Sequence, residues 1–353
     1  MTSSQTPVPF TKPFPYEYKP YHPCLHQHKN IYFFQKYITL PLNYITAPIF
    51  WPIRVILCFL FMLINSLFAL IINYGTDETK PLPQKRRAIL VRVNRICIRA
   101  SLFFTGFILK VEDQRTFKPQ IIAVKICNHS GLIDALCLGA IGTECMIANK
   151  EVIENPVCKP QMVATRSLTP GSNCVAKMLE RRDSELNWPP MTVFSEGAIS
   201  PELVMIRPRS GTFRILRVGD YVQPMTIRYK TNFNCEWLAQ SVVWVGKQLG
   251  KNFCNTVKVT YLEPVMYNGE DVQEFADNLH KQMCDSLGNE FVPYNYQDLR
   301  YFYGSERFQL KDCTPQYQKD YAWMGRLKDY QKMCQAAGRD SDYEWTKQQL
   351  KLE

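Results

Sequence analysis

Residues 121–141 of this chain, which read IIAVKICNHSGLIDALCLGAI, decide the class of fold. Residues 121–126 form a short apolar run rich in branched side chains, which predicts a buried strand, and residues 132–141 predict a helix. His129 falls between the two, at the carboxyl end of the strand. Because ligands of open α/β sheets bind beyond the carboxyl ends of the strands, we expect a functional site around His129.

The same alternation of strands and helices continues along the chain. Strands alternating with helices predict an α/β domain with a mixed, mostly parallel sheet and flanking helices. His280 lies in the helix predicted at residues 271–287 but off its apolar stripe, so we expect it at the surface. The further strands are predicted at residues 145–148, 162–165, 191–194, 222–229 and 257–262, and the further helices at residues 172–182 and 271–287.

A long uncharged segment lies near the N-terminus. Residues 55–72 read VILCFLFMLINSLFALII, close to the ~20 residues that cross the hydrocarbon core of a bilayer. A single span, a re-entrant hairpin and a buried helix all remain open, and we favour contact with a membrane. Basic residues follow the segment more closely than they precede it, which for a span places the C-terminal domain in the cytosol. Residues 100–109 predict an interfacial helix or a core helix.

The composition limits the classes of partner. The 353 residues carry 42 Lys and Arg against 32 Asp and Glu, a net charge of +10. Such a charge favours nucleic acid, a phospholipid surface or a phosphorylated substrate. The sequence shows no bZIP, zinc-finger or RNP pattern, so we expect no nucleic acid. The 13 cysteines include no C-x-x-C pair, and no D-x-[DN]-x-[DN]-G loop occurs, so we expect no metal site and no calcium site.

His129 and Asp134 are the residues best placed for acid–base chemistry. On a regular helix, five residues would point them about 140° apart. They meet only if the chain bends through Ser130 and Gly131, and Gly131 permits that bend. Asp134 would then fix the tautomer of His129 and leave its other nitrogen as a base for a hydroxyl. The alternative is a capping histidine and an aspartate that answers the helix dipole.

Two more predicted strand ends carry polar residues. Arg166 follows residues 162–165, and Glu196 and Gly197 follow residues 191–194. Convergence of such side chains on one rim of the sheet is what a site requires. Arg207 and Arg209 form a candidate phosphate-binding pair, because guanidinium groups match phosphate oxygens, or else a solvated basic loop.

At these residues the sequence resembles the phospholipid and glycerol acyltransferase family, which carries four ordered blocks. Residues 128–134, NHSGLID, resemble the first block, N-H-x4-D, and Arg166 resembles the arginine of the second. Residues 194–200, FSEGAIS, resemble the third block, F-P-E-G-T-x-S, and Pro224 resembles the proline of the fourth. Within the family the chain looks most like the lysophosphatidylcholine acyltransferase branch, through Trp188-Pro189, residues 211–213, Leu287-Gly288 and residues 296–298.

The resemblance implies a glycerolipid acyltransferase fold with N-terminal membrane-embedded helices. It implies O-acylation of a lysophospholipid, with a lysophosphatidylcholine-type acceptor favoured, acyl-CoA as co-substrate and no cofactor. The family's location implies the endoplasmic reticulum membrane, with the catalytic domain in the cytosol. It also implies a catalytic pair, His129 and Asp134, and substrate-binding residues Arg166, Glu196, Gly197, Ser200, Arg209 and Pro224.

The sequence departs from the family pattern at three positions, and the pattern along the chain predicts an order of domains. Ser195 replaces the usual proline of the third block, Ala198 the usual threonine, and Ser210 a proline frequent in the branch. These substitutions support an alternative function, a non-catalytic membrane protein that retains the fold to bind lipid or a partner. The expected order is a disordered tail (1–30), membrane-anchoring helices (31–76), a basic linker with an interfacial helix (77–115), the acyltransferase domain (116–290) and a C-terminal appendage (291–353).

Overall fold

A computed structural model describes the part of the chain that carries the predicted site. The described residues are 37–38, 40–131, 133–142, 145–171, 173–231, 235, 255–303, 305, 307 and 309–321. The tail predicted for residues 1–30 and most of the predicted C-terminal appendage lie outside them.

Within this part of the chain, the centre is a sheet of seven strands. The strands stand in the order β1-β7-β6-β2-β4-β3, and β8 pairs with β6. β2 pairs in parallel with β4 and β6, and β1 pairs in parallel with β7, whereas β6 runs antiparallel to β7 and β8. The strands are β1 (Phe107–Asp113), β2 (Val124–Cys127), β3 (Cys145–Met146), β4 (Met191–Phe194), β6 (Tyr221–Lys230), β7 (Asn255–Tyr261) and β8 (Val265–Met266).

Helices cover the sheet, which confirms the predicted α/β class. The central strands are buried almost throughout, as expected for parallel strands with helices on both faces. The described helices are α1 (Leu40–Asn73), α2 (Gln84–Phe104), α3 (Asp134–Ile141), α4 (Lys150–Glu154), α5 (Lys159–Ala164), α6 (Cys174–Asp183), α7 (Val272–Leu287), α8 (Tyr296–Phe302) and α9 (Pro315–Tyr321).

Three of the sequence-based predictions about local structure are wrong. Residues 100–109, predicted as one helix, contain the end of α2 at Phe104 and the start of β1 at Phe107. The strand predicted at residues 162–165 is the end of helix α5 followed by a turn. A short apolar run has no periodicity that separates a buried strand from a buried helix. His280, expected at the surface, is 0% exposed on α7, because the side of the helix next to its apolar stripe is also covered.

The N-terminal helices form an antiparallel pair that packs on the domain. The rings of Phe61 in α1 and Phe104 in α2 stack 5.6 Å apart, and Arg54 Nε donates to the carbonyl of Phe104 at 2.9 Å. Arg95 and Arg99 of α2 donate to the last carbonyls of α3, at 3.2 and 3.3 Å. Cations at a helix C-terminus satisfy carbonyls that lack partners within the helix.

Helix α1 is apolar on both of its sides. Residues Ile49–Asn73 are long and apolar enough to cross a membrane, judged by length and composition. One side is covered, since Ala69 and Ile72 are buried with Leu90 of α2 and Ala164 of α5. The other side carries large exposed apolar side chains, among them Ile45, Ile49, Ile56, Phe59, Leu63 and Ile71.

A smaller second core forms where the chain continues past α7. β5 (Val204–Ile206) pairs in parallel with β9 (Glu290–Val292) in a two-stranded sheet. Helix α8 begins with a capping box between Asn295 and Asp298. Ala198 is buried in the same cluster as Tyr301 and Tyr317. This core therefore packs directly on the loop that carries Glu196 and Gly197, called the Glu-Gly loop below.

Candidate active site

The loop that carries His129 is held to the sheet by a buried asparagine. Asn128 follows the last residue of β2 and is 0% exposed. Its amide donates to the carbonyl of Ile227 at 3.0 Å, and its carbonyl oxygen accepts from the Ile227 N–H at 2.7 Å. The side chain thus continues the pairing of β2 with β6 after β2 has turned away, and it fixes where His129 leaves the sheet.

His129 and Asp134 lie within hydrogen-bonding distance. His129 Nδ1 is 2.8 Å from Asp134 Oδ2. Because an ionised carboxylate only accepts, Nδ1 carries the proton and Nε2 is the nitrogen left for a substrate. The chain bends at Gly131, where an added Cβ would lie 2.9 Å from the ring of Tyr229. Only glycine fits that close approach.

Asp134 is enclosed by donors. Its Oδ2 also accepts from the N–H groups of Ser130 and Gly131, at 2.7 and 2.8 Å. Its Oδ1 accepts a short hydrogen bond from the hydroxyl of Tyr229, on β6. The carboxylate is 0% exposed. A buried charge with four donors is held in one position, and it orients the imidazole in turn.

The imidazole of His129 is also held on its face. The ring of Phe194, the last residue of β4, stacks on it with centroids 4.1 Å apart and planes at 16°. The side chain of His129 is 21% exposed. It is therefore restrained by Asp134 and Phe194 while part of it remains open to solvent, which suits a base that meets a substrate.

Glu196 organises backbone and is buried. Its Oε1 accepts from the N–H of His129 at 2.9 Å, and its Oε2 accepts from the N–H of Ile206 at 3.2 Å. Burial raises the pKa of Glu196 to about 8, although these two N–H donors favour the ionised form. Both oxygens hold the loops around the site, so the residue positions His129 through its main chain.

Gly197 and Ser200 pack around the same loop. Gly197 has φ 74°, and an added Cβ would lie 2.7 Å from Cδ of Arg209. The arginine stem thus occupies the space over the glycine. The N–H of Ser200 donates to the carbonyl of His129 at 2.8 Å. The third block therefore binds the His129 backbone from both sides, through Glu196 and Ser200.

Arg166 has many partners, but they belong to another part of the molecule. The residue is 5% exposed and has a positive φ of 57°. Its guanidinium donates to groups in the connection between α1 and α2. These acceptors are Asn73 Oδ1, Thr76 Oγ1 and the carbonyls of Asp77 and Lys80, together with the carbonyl of Val163 in α5, at 2.6 to 3.1 Å.

The three other predicted residues differ in their surroundings. Pro224 lies inside β6 opposite Ile126 of β2 and is buried in the sheet. Arg207 forms an ion pair with Asp277 of α7, with Nη2 2.7 Å from Oδ2. Arg209 extends over Gly197 with its guanidinium 5.2 Å from the ring of Tyr296.

Sequence reasoning missed three groups that the structure brings to the site. Tyr229 and Phe194 contact Asp134 and His129 directly. Ser195 and the buried His280 share a hydrogen bond of 2.7 Å directly behind the Glu-Gly loop. The position of Tyr229 on a predicted strand indicates which face of the sheet its side chain is on, but it does not indicate that the side chain contacts Asp134.

Comparison with known proteins finds acyltransferases that are similar in sequence. The family model described as Acyltransferase matches residues 108–228. Lysophosphatidylcholine acyltransferase 2 of Homo sapiens is 25% identical over 265 residues, covering 70% of this chain and 48% of its own length. Lysophosphatidylcholine acyltransferase of Drosophila melanogaster is 24% identical over 275 residues, covering 72% of this chain and 51% of its own length.

A solved structure shares the fold. The 1-acyl-sn-glycerophosphate acyltransferase PlsC of Thermotoga maritima aligns with a TM-score of 0.53 at 15% sequence identity, covering 71% of this chain and 99% of that one. At that identity the likeness concerns the fold alone. The chain spans about half the length of the curated relatives it matches.

Proposed function

We propose that the chain is an enzyme of the acyltransferase family that transfers a fatty acyl group from acyl-CoA to the hydroxyl of a lysophospholipid, because the family model and the similar lysophosphatidylcholine acyltransferases match it. A lysophosphatidylcholine-type acceptor is favoured, because the similar proteins carry that name. Acyl-CoA serves as the co-substrate, and no further cofactor takes part.

One observation carries the proposal, namely that the buried carboxylate of Asp134 orients the partly exposed imidazole of His129. His129 Nε2 takes the proton of the acceptor hydroxyl as its oxygen attacks the thioester carbon. The tetrahedral intermediate collapses, the C–S bond breaks, and the thiolate of CoA takes the proton from His129. Asp134 stabilises the imidazolium between these two steps, and the stacked ring of Phe194 restrains the orientation of the imidazole. A positioned base of this kind contributes typically ~10²–10⁴-fold.

The bilayer is the proposed location of the acceptor. The outer side of α1 exposes large apolar side chains such as Ile56 and Phe59, while α2 and α5 cover its inner side. Because one side of α1 packs on its own domain, we expect the exposed apolar side to insert into one leaflet of the bilayer. We place the protein at the endoplasmic reticulum membrane with the catalytic domain in the cytosol.

The test is a thiol-release assay on purified full-length protein in detergent or vesicles. Each reaction contains one acyl-CoA and one lysophospholipid, with His129→Ala as the paired variant. The proposal expects CoA release that requires both substrates and is lost in the variant, while folding and membrane association persist.

Two other results would separate the alternatives. CoA release in wild type that His129→Ala leaves unchanged would refute His129 as the base. Folded wild-type protein that releases no CoA with any acceptor, yet binds vesicles, would favour the non-catalytic lipid-binding protein.

A further inference from the structure

We infer that helix α8 completes a phosphate-binding subsite beside the loop of Glu196 and Gly197, formed by Arg209, Arg300 and the ring of Tyr296, which both guanidinium groups contact. The inference rests on the proposed function and extends it, because it names residues from beyond the family match that hold a substrate phosphate. The match ends at residue 228, and two of these three residues lie beyond it.

The first step is the contact of two cations with one ring. The guanidinium carbon of Arg209 lies 5.2 Å from the centroid of Tyr296, and that of Arg300 lies 5.5 Å from it. The two charges therefore cannot be farther apart than these two distances together. Cation–π contacts attract each guanidinium to the ring, so both charged groups lie around Tyr296.

The second step is the lack of a counter-charge. Within the described ranges, neither Arg209 nor Arg300 forms an ion pair, and both are exposed. Arg207, two residues from Arg209, is paired with Asp277. Two exposed guanidinium groups that contact the same ring are therefore available to bind an anion. Guanidinium forks match phosphate oxygens in geometry.

The third step is the position of the cluster. Arg209 donates its N–H to the carbonyl of Ser195 at 2.9 Å, and its stem covers Gly197. Glu196 lies between Ser195 and Gly197, and its carboxylate accepts a hydrogen bond from the His129 N–H. The second core fixes α8 against the same loop through Ala198. A phosphate bound here would lie on the loop that positions the backbone of His129.

Both proposed substrates carry phosphate, so the test has an arm for each. KM is measured for lysophosphatidylcholine and for acyl-CoA in wild type, Arg209→Gln, Arg300→Gln and the double variant. Monoacylglycerol replaces the acceptor in one arm, and acyl-pantetheine replaces the donor in the other, because neither carries phosphate. Arg214→Gln is the matched control, since it removes an exposed arginine from the same segment.

The inference expects each single variant to raise KM for the phosphate-bearing substrate by about tenfold, with kcat little changed. The preference for that substrate over its phosphate-free analogue should fall by a similar factor, and Arg214→Gln should match wild type. The arm that responds identifies the phosphate as that of the acceptor or that of CoA.

Three outcomes overturn the subsite. These are an unchanged KM for both substrates in the double variant, an equal loss with the phosphate-free analogues, and the same effect in Arg214→Gln. If wild type transfers no acyl group, the proposed function fails by itself. Thermal stabilisation by CoA or lysophosphatidylcholine then decides the subsite, which requires that stabilisation in wild type and its loss in the double variant.

Discussion

Replacing Asp134 with Asn should remove the charge beside His129 while keeping most of the local hydrogen bonds. The amide oxygen can take the place of Oδ2, which accepts from His129 Nδ1, Ser130 N–H and Gly131 N–H. The amide NH₂ then occupies the place of Oδ1 and donates to the hydroxyl oxygen of Tyr229, which can rotate to accept. We therefore expect a folded protein with the same tautomer of His129.

The loss of activity follows from the charge alone. His129 Nδ1 and Asp134 Oδ2 are 2.8 Å apart, and unit charges about 4 Å apart interact by about 4 kcal/mol at an effective dielectric constant of about 20. The side chain of His129 is 21% exposed, so solvent weakens this interaction. About 2–4 kcal/mol of imidazolium stabilisation should disappear, which lowers kcat by about 30- to 1000-fold.

The assay is CoA release at saturating concentrations of both substrates, with thermal denaturation of the same preparations. Asp134→Ala serves for comparison, because it removes the hydrogen bonds as well as the charge. We expect Asp134→Asn to lose turnover but little stability, and Asp134→Ala to lose both. A folded Asp134→Asn protein with wild-type turnover would refute the view that the charge stabilises the imidazolium.

The remaining predictions concern three residues that sequence reasoning left out or placed elsewhere. Tyr229→Phe removes a hydrogen bond to a carboxylate, worth about 1.5–3 kcal/mol, so we expect lower kcat with unchanged acceptor KM; a change in KM alone would contradict this. Burial lowers the pKa of His280 to about 4 from 6.5, so its neutral ring stabilises the fold above pH 6.5, and roughly 3 kcal/mol is lost as pH falls to about 4. Denaturation of His280→Gln should lack this pH-dependent loss, and parallel wild-type and variant curves would argue against it. Arg166→Leu should lower the free energy of unfolding and leave acceptor KM unchanged, because four of its five hydrogen bonds reach the α1–α2 connection and the fifth reaches Val163 in α5; a raised KM with unchanged stability would restore the acceptor-binding role.

The centre of the fold was predictable because its signals are local. The strand predicted at residues 191–194 is β4, and the amphipathic pattern before Gly288 is α7, which begins at the N-cap Asp271. The spacing of His129 and Asp134 also required a bend at Gly131, and the close approach of Tyr229 explains why glycine stands there.

The remainder of the site depends on contacts between segments far apart in the chain. Tyr229 is 95 residues from Asp134, and His280 is 85 residues from Ser195. Periodicity assigns a residue to one side of a helix or strand, but it does not say which distant side chain faces it. Arg166 shows the same limit, because its resemblance to the arginine of the second block does not reveal that the α1–α2 connection surrounds it.

The departures from the family pattern in the third block can be judged by their surroundings. Ser195 adds a hydroxyl where the family usually has proline, and the buried His280 satisfies it. Ala198 lacks a hydroxyl where threonine is usual, and it lies in an apolar cluster with Tyr294 and Tyr301, where an unpaired hydroxyl would be costly. Each substitution thus matches the packing behind the loop, and neither alters the hydrogen bond from the His129 N–H to Glu196. Matched packing of this kind preserves the position of the base, which favours the enzyme over the non-catalytic alternative.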